Sequence, residues 1–390
     1  MRAGLASLPQ VVRHAEELHP LTTSDRNRSS SPDPRRIRSA RELRGLTQRE
    51  VVERMEPAIS TAALSQIESG KLRPSLETLL MLAGALRVPI EFFEARSSEA
   101  LPHITYFRDL RSTTARERRR AGALAFLMSD LIEALERHVR LPRLDLPNHE
   151  VAPAGDREAI EEAASMVRST WGLGDAPIPH VVRELERHGI PVAQLSLGGK
   201  QVDAFSTRIG TRPLVILTKD KSNYVRSRFD AAHELGHLVL HARAQPGSKQ
   251  VETQAHDFAS SFLLPEQVAR AELPRRLDSM AWGQLAEMKR TWGISLSALL
   301  YRARALRLMT VDTHRTAMRY MAARGWRTVE PGDRELGAPE APLLVQRSIK
   351  RAEVEGTASF DSLVREARLP AEDALLLIEA SIDDRPVVEL

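Results

Sequence analysis

The chain lacks cysteine, long hydrophobic runs and a signal-like start, and each absence excludes a class of protein. Without cysteine there is no disulfide framework and no thiolate metal site, so any bound metal must use histidine and carboxylate ligands. No apolar run approaches the roughly 18 residues of a membrane span. His14, Glu16 and Glu17 interrupt the apolar positions near the start, where a signal peptide needs hydrocarbon. We therefore expect a protein of the reducing cytoplasm with no membrane partner.

The composition predicts a modular globular protein. A chain of 390 residues with 42% hydrophobic and 28% charged residues is long enough for two or three domains, each with its own core. The net charge is only +4, but 49 of the 56 basic residues are arginine, and they cluster near residues 26–49 and 108–120. Such clusters favour a nucleic-acid partner, although solvated faces carry them equally often.

The order of patterns along the chain predicts an α+β protein that is mostly helical. Residues 22–34 are polar and rich in serine and proline, which indicates a flexible arm over residues 1–34. Short helical patterns follow at 35–95, and a linker region at 96–150 contains a long helix. Residues 151–335 combine helices with the strand-like runs PVAQLSL, QVDAFSTRIG and RPLVILT, which predict a small sheet. Residues 336–390 form a small helical tail, either a plain appendage or a small helix-turn-helix.

The long helix of the linker region has a regular apolar face. Its apolar positions recur every three or four residues, which is typical of a helix that buries one side. We expect this helix to bridge the two domains. The positions are Ala121, Leu124, Leu127, Leu131 and Leu135.

Residues 47–73 have the pattern of two helices that read DNA. Thr47 is placed to cap a first helix, and Glu50 three residues later completes a capping box. A turn around Pro57 leads to a second helix at 60–68, where short polar side chains alternate with apolar anchors. Such side chains suit a helix in the major groove, because base edges require donors and acceptors at close range. Gly70 ends this helix, and Lys71 and Arg73 can reach phosphates.

The stretches TQREV, ALSQIESGKLRPS and LLMLAGALRV closely resemble the XRE family of helix-turn-helix repressors over about residues 35–95. The turn MEPAIS differs, since it carries Pro57 and is expected to run longer. The resemblance implies binding to a double-stranded DNA operator, and a helical bundle that only pairs with another protein is the alternative. Two half-sites are typical of this motif, so a homodimer is expected. The implied DNA-facing residues are Gln48, Thr61, Ala62, Ser65 and Gln66.

The segment DAAHELGHLVLH has the spacing of a metal site on a helix. His233 and His237 are four residues apart, so both imidazoles project from one face and can share a metal ion. Glu234 can approach a metal-activated water without being a ligand, which is the position of a general base. A catalytic zinc site needs a third protein ligand and an open fourth position. Spacing alone leaves Glu252, His256 and, more weakly, His241 as candidates, and His241 fits better as a support for a ligand.

HELGHLVLH followed by VETQAHDFASSFLLP resembles the ImmA/IrrE family of metallopeptidases, and the likeness extends over about residues 156–307. The resemblance implies a zincin-like domain with His233, His237 and Glu252 as ligands and Glu234 as the catalytic base. It implies Zn²⁺ as the cofactor, with Mn²⁺ as the alternative metal. No group that stabilises the oxyanion follows from the sequence, and Tyr301 and Arg228 are the two candidates.

An XRE domain followed by such a peptidase domain resembles a set of bacterial regulators. This likeness implies a cytoplasmic transcription regulator whose peptidase cleaves a repressor-like protein in stress response or mobile-element control. The alternative is a regulator or antitoxin whose zinc domain serves as a sensor or scaffold without proteolysis. Retention of Glu234 favours the peptidase, because a purely structural zinc site needs no base.

Overall fold

The computed structural model describes residues 31–56, 59–94, 103–107, 114–149, 157–196, 204–209, 212–219, 223–241 and 248–379. The arm predicted for residues 1–34 lies outside the described residues except for its last four positions. The first described helix begins at Pro34, where the Asp33 side chain accepts a hydrogen bond of 2.8 Å from the backbone N–H of Arg35. None of the described helices combines the length and the apolar character needed to cross a membrane.

The N-terminal part consists of four helices, namely α1 (Pro34–Leu43), α2 (Gln48–Val52), α3 (Thr61–Glu68) and α4 (Leu76–Leu86), followed by a 3-10 turn at Ile90–Phe93. The predicted capping box of Thr47 and Glu50 begins α2, and Ser60 caps α3. Gly70 has a φ of 74° after α3, a left-handed conformation that glycine adopts without strain. Leu64 and Ile67 are buried beneath α3, as predicted for its anchors.

The long helix predicted at the linker is present but is a core element. A short strand β1 (His103–Phe107) precedes it, and the helix itself is α5 (Ala115–Glu136). All five positions of the predicted apolar face are buried, and so are further residues on other sides of the helix. Arg36 on α1 pairs with Asp130 on α5 at 2.9 Å, with both side chains buried. The helix therefore fastens the N-terminal part to the rest of the protein.

The second part combines helices with the strands expected from the sequence. In chain order it contains α6 (Arg157–Thr170), α7 (Val181–Arg187), β2 (Val192–Leu195), β3 (Ala204–Ile209), β4 (Arg212–Thr218), α8 (Tyr224–Leu240), α9 (Lys249–Leu263), α10 (Glu266–Glu272), α11 (Ser279–Trp292), α12 (Leu296–Ala305) and α13 (Val311–Ala323). The three strand-like runs of the sequence correspond to β2, β3 and β4. The predicted α+β class with a small sheet is confirmed.

The sheet has the order β1-β3-β4-β2, with β2 parallel to β4 and the other pairs antiparallel. Its two faces belong to different cores. Phe205 and Ile216 face the core that contains α5 and the N-terminal helices. Ala204 and Val215 face the core that contains α8 and α9. Because side chains alternate along a strand, β3 directs every second residue towards α8.

The tail contains α14 (Leu344–Val354), α15 (Phe360–Glu366) and α16 (Ala371–Glu379), and it packs on α5 within the first core. Arg44, the residue that follows α1, makes a two-pronged ion pair with Asp373, at 2.7 Å for each bond. The backbone N–H groups of Leu343 and Leu344 donate to Glu186 on α7 at 3.0 and 2.9 Å. The tail therefore contacts both the N-terminal part and the second part.

Candidate metal centre and DNA-reading face

The predicted metal-binding histidines lie in the middle of α8. The Asn223 side chain caps this helix by accepting from the N–H of Arg226 at 2.9 Å. His233 and His237 are buried, and their Nε2 atoms are 3.0 Å apart because the two residues are one helical turn from each other. Both rings thus direct a nitrogen to the same point.

Glu252 on α9 completes this group. Its Oε2 lies 3.3 Å from His233 Nε2, and its Oε1 lies 3.7 Å from His237 Nε2. Burial favours a neutral carboxyl, but the two imidazoles outweigh it and hold the pKa of Glu252 at about 2. Two nitrogens and an ionised carboxylate converge here, and the three ligand atoms lie within 4.8 Å of one another. This donor set fits a divalent metal that accepts nitrogen and oxygen ligands.

Gly236 allows the two ligand helices to approach each other. A Cβ at this position would lie 3.0 Å from the ring of Phe258 and 3.2 Å from the backbone oxygen of Ala255, both on α9. These distances are below ordinary van der Waals contact, so a larger residue would separate α8 from α9. In the sequence, Gly236 is only one of several small or apolar residues around the two histidines. Its role in packing depends on the neighbouring helix α9, which the HELGH motif does not include.

His241 and Gln254 form a chain of hydrogen bonds behind His237. His237 Nδ1 lies 3.1 Å from His241 Nδ1, and His241 Nε2 lies 3.0 Å from Gln254 Oε1. Burial, with a smaller contribution from His237, lowers the pKa of His241 to about 4, so this ring is neutral at pH 7. Because an amide oxygen only accepts, His241 carries its proton on Nε2 and accepts from His237 Nδ1–H. A bound metal would take the place of the proton on His237 Nε2, and this chain would keep the proton on Nδ1, so that Nε2 offers its lone pair as metal binding requires.

His256, the other candidate for third ligand, lies elsewhere. Its ring packs between Phe229 and Tyr301, with centroid separations of 4.9 and 4.4 Å. Among the described residues, the group with metal-ligand spacing contains His233, His237 and Glu252 and not His256.

The two candidates for an oxyanion donor have other contacts. The buried guanidinium of Arg228 donates to the backbone oxygen of Ile178 at 2.7 Å and also pairs with Glu340. The Tyr301 hydroxyl donates to Asp257 at 2.7 Å. Burial and Asp257 raise the pKa of Tyr301 to about 12, so this hydroxyl keeps its proton. Arg228 therefore has a structural role, and the Tyr301 proton is engaged by a carboxylate.

Glu234, the predicted base, points towards the sheet. It is fully buried, and the Ser206 hydroxyl on β3 donates to its Oε2 at 2.8 Å. This hydrogen bond fixes the position of one carboxylate oxygen. Ser206 belongs to the site, yet its sequence signal is only that of a small polar residue in a strand.

The predicted DNA-reading residues other than Gln48 are exposed along one side of α3 and after it. Lys71 and Arg73 are also exposed. Gln48 is half-buried, and its Nε2 donates to Glu68 Oε2 at 2.8 Å, so its amide ties α2 to α3. Arg41 holds the same buried carboxylate with bonds of 2.6 and 2.9 Å. The exposed side chains on α3 are Thr61, Ala62, Ser65 and Gln66.

Comparison with protein families assigns both parts of the chain. Residues 37–93 match the helix-turn-helix family model, and residues 185–304 match the peptidase family described as the IrrE N-terminal-like domain. No curated protein matches the chain. The first match covers α1 to α4, and the second covers β2, β3 and β4 together with the helices that hold His233, His237 and Glu252. The chain therefore carries a DNA-binding helix-turn-helix domain of the XRE type followed by a domain of the IrrE/ImmA metallopeptidase family.

Proposed function

We propose that this protein is a cytoplasmic bacterial transcription regulator whose second domain is a zinc-dependent endopeptidase that cleaves a repressor-like protein. The convergence of His233, His237 and Glu252 beside the buried base Glu234 is the observation that carries this proposal. Three protein ligands leave a fourth zinc position for the reaction, whereas a structural zinc site is closed by four. Mn²⁺ is the alternative metal for the same donor set.

Each residue of the site has a distinct task in peptide hydrolysis. A metal held by the three ligands supplies a Lewis acid that polarises the scissile carbonyl and makes water more acidic. Glu234, with one oxygen fixed by Ser206, takes a proton from the attacking water through its other oxygen and returns it to the leaving nitrogen. Water is thus added across the C–N bond, and a carboxyl and an amine result.

The DNA-reading domain supplies the regulatory half of the proposal. The exposed polar side chains on α3 suit base edges in the major groove of an operator, and Lys71 and Arg73 are placed for phosphates. We propose that the protein acts as a homodimer on two half-sites, because one short recognition helix reads few base pairs. Stress response or mobile-element control is the proposed setting.

The test uses the chain itself as a source of a helix-turn-helix substrate. Zinc-loaded wild-type protein is mixed with a tagged full-length Glu234→Gln copy, and intact mass spectrometry follows the tagged chain. We expect fragments of the tagged copy with wild-type protein and none when both copies carry Glu234→Gln. If stoichiometric zinc is bound and no fragments form in either mixture, cleavage of this substrate is contradicted and the sensor or scaffold alternative gains support. Selection of bound sequences from random DNA tests the operator.

A further inference from the structure

The strand β1 is added to the sheet from outside the peptidase-like segment. The strands β2, β3 and β4 lie within residues 185–304, whereas β1 lies outside both segments that match a family. In the chain it follows the DNA-binding helices and precedes α5. In the sheet it is the outermost strand and pairs only with β3. Without β1, β3 would be the edge of the described sheet.

The strand that β1 covers is the one that holds the base of the metal site. Ser206 on β3 donates to Glu234 at 2.8 Å, and Tyr106 is the residue of β1 opposite Ser206. Phe107 is opposite Phe205, and the two strands are antiparallel. Because paired strands lie about 4.8 Å apart, the β1 backbone runs directly beside the residue that fixes Glu234.

An open strand edge presents N–H and C=O groups to which an extended peptide can add as a further strand. We propose that the outer edge of β3 is the peptide-binding edge of the metal site and that residues 103–107 occupy it as an internal competitor of the substrate. This inference rests on the proposed peptidase function, because it names the surface that would receive the substrate. The ligand of this surface is an extended peptide held through its backbone.

The register of β1 makes it a blocking strand. Ile104 pairs with Thr207 and Tyr106 pairs with Ser206, so Thr105 is an extra residue between them. A β-bulge leaves its extra residue unpaired and bends the strand. The bulge lies opposite Thr207 and Ser206 of β3, and Ser206 is the residue that donates to Glu234. A substrate strand would need regularly alternating carbonyl groups at this point. A substrate can therefore bind only after β1 has left the edge.

Two variants remove β1 in different ways. Successive N–H groups of a strand point to opposite sides, so Tyr106→Pro with Phe107→Pro removes at least one donor to β3. Because β1 is the outermost strand of the described sheet, loss of its pairing leaves the β3–β4 and β4–β2 pairs in place. Tyr106→Val with Phe107→Val is the matched control, because it keeps both N–H groups and a high strand propensity. In a second variant a Gly/Ser sequence of the same length replaces residues 103–107.

Binding is measured without catalysis. All proteins carry Glu234→Gln and bound zinc, and the probe is a fluorescent synthetic peptide LPHITYFRD, which copies residues 101–109. We expect both β1 variants to bind the peptide at least ten-fold more tightly than the parent and the valine control. Amide hydrogen exchange at residues 204–209 is expected to rise in the same two variants and to fall again when peptide is added.

The outcomes separate this inference from the proposed function. Equal peptide affinity in all four proteins would overturn the inference, and so would unfolding of both β1 variants, since β1 would then be a structural part of the sheet. With Glu234 restored, the Gly/Ser variant is expected to cleave the tagged Glu234→Gln copy at least ten-fold faster than wild-type protein. If no variant cleaves but the peptide binds as expected, the peptidase proposal fails while the peptide-binding edge stands.

Discussion

The candidate metal centre and the proposed DNA-reading face are built in opposite ways. At the metal centre His233, Glu234 and His237 are at most 1% exposed, and their positions depend on how closely α8 and α9 pack. On α3 the predicted reading side chains are exposed, while the anchors Leu64 and Ile67 and the carboxylate of Glu68 are buried. Substitutions at the metal centre are thus expected to change packing and ligand geometry together. Substitutions on the reading face are expected to change binding alone.

Loss of a metal ligand is expected to have the largest effect. Glu252→Ala removes the carboxylate from the group and leaves two buried imidazoles. We expect metal affinity to fall more than about 100-fold, beyond the loss typical of residues that only support a ligand. Competition with a zinc indicator measures this, and Glu266→Ala, at an acid on α10 whose side chain is 38% exposed, is the control. If the DNA affinity of Glu252→Ala is unchanged, the two regions act independently. A loss of DNA affinity as large as the loss of metal affinity would contradict their independence.

The next prediction concerns the hydrogen-bond chain behind His237. Gln254→Leu keeps the side-chain size but leaves the His241 N–H without its acceptor, so the tautomer of His237 is no longer fixed. We expect zinc affinity to fall by about 10–100-fold, as for other supports of metal ligands. Gln254→Glu retains an acceptor and is expected to restore binding. Thr253→Ala, on the exposed side of α9, is the neighbouring control. Equal affinities of the Leu and Glu variants would rule out the tautomer chain.

A smaller effect is expected where the helices cross. Gly236→Ala places a Cβ at 3.0 Å from Phe258, and overpacking of this kind costs about 1–3 kcal/mol of unfolding free energy. Gly283→Ala on α11 is the matched control, since a Cβ there meets nothing within 4 Å. We expect the control to gain about 0.5–1 kcal/mol from lower flexibility of the unfolded chain. Urea unfolding measures both, and equal changes would contradict close packing as the cause.

Several features of the protein could be predicted from local signals in the sequence. The Thr47 and Glu50 capping box, the strands β2 to β4 and the burial of Leu64 and Ile67 each follow from residues within a few positions of one another. The choice between Glu252 and His256 could not be made locally. These residues are one helical turn apart on the same side of α9, so the position of α9 along α8 decides which one meets the histidines. The family resemblance, and not the spacing, favoured Glu252.

The features that the sequence did not predict depend on distant contacts. The spacing of apolar residues in α5 predicts a helix with one buried side, but the α1, sheet and tail contacts that enclose it come from distant parts of the chain. Ser206 is assigned to the site only because β3 packs on α8. The strand β1 is five residues long and pairs with a strand about 100 positions away, so no local pattern distinguishes it from a loop.

The smallest predicted effect tests whether the reading face acts through binding alone. Lys71→Ala removes an exposed cation beside α3, and a phosphate contact carries no base information. We expect the affinity for DNA to fall a few-fold and by a similar factor for all DNA sequences. The slope of log affinity against log salt concentration is expected to fall by about one. Lys350→Ala, an exposed lysine on α14, is the matched control and should leave the slope unchanged. Removal of one solvated charge does not by itself alter distant packing. A changed sequence preference or a changed zinc content in Lys71→Ala would therefore mean that the reading face and the buried centre are coupled.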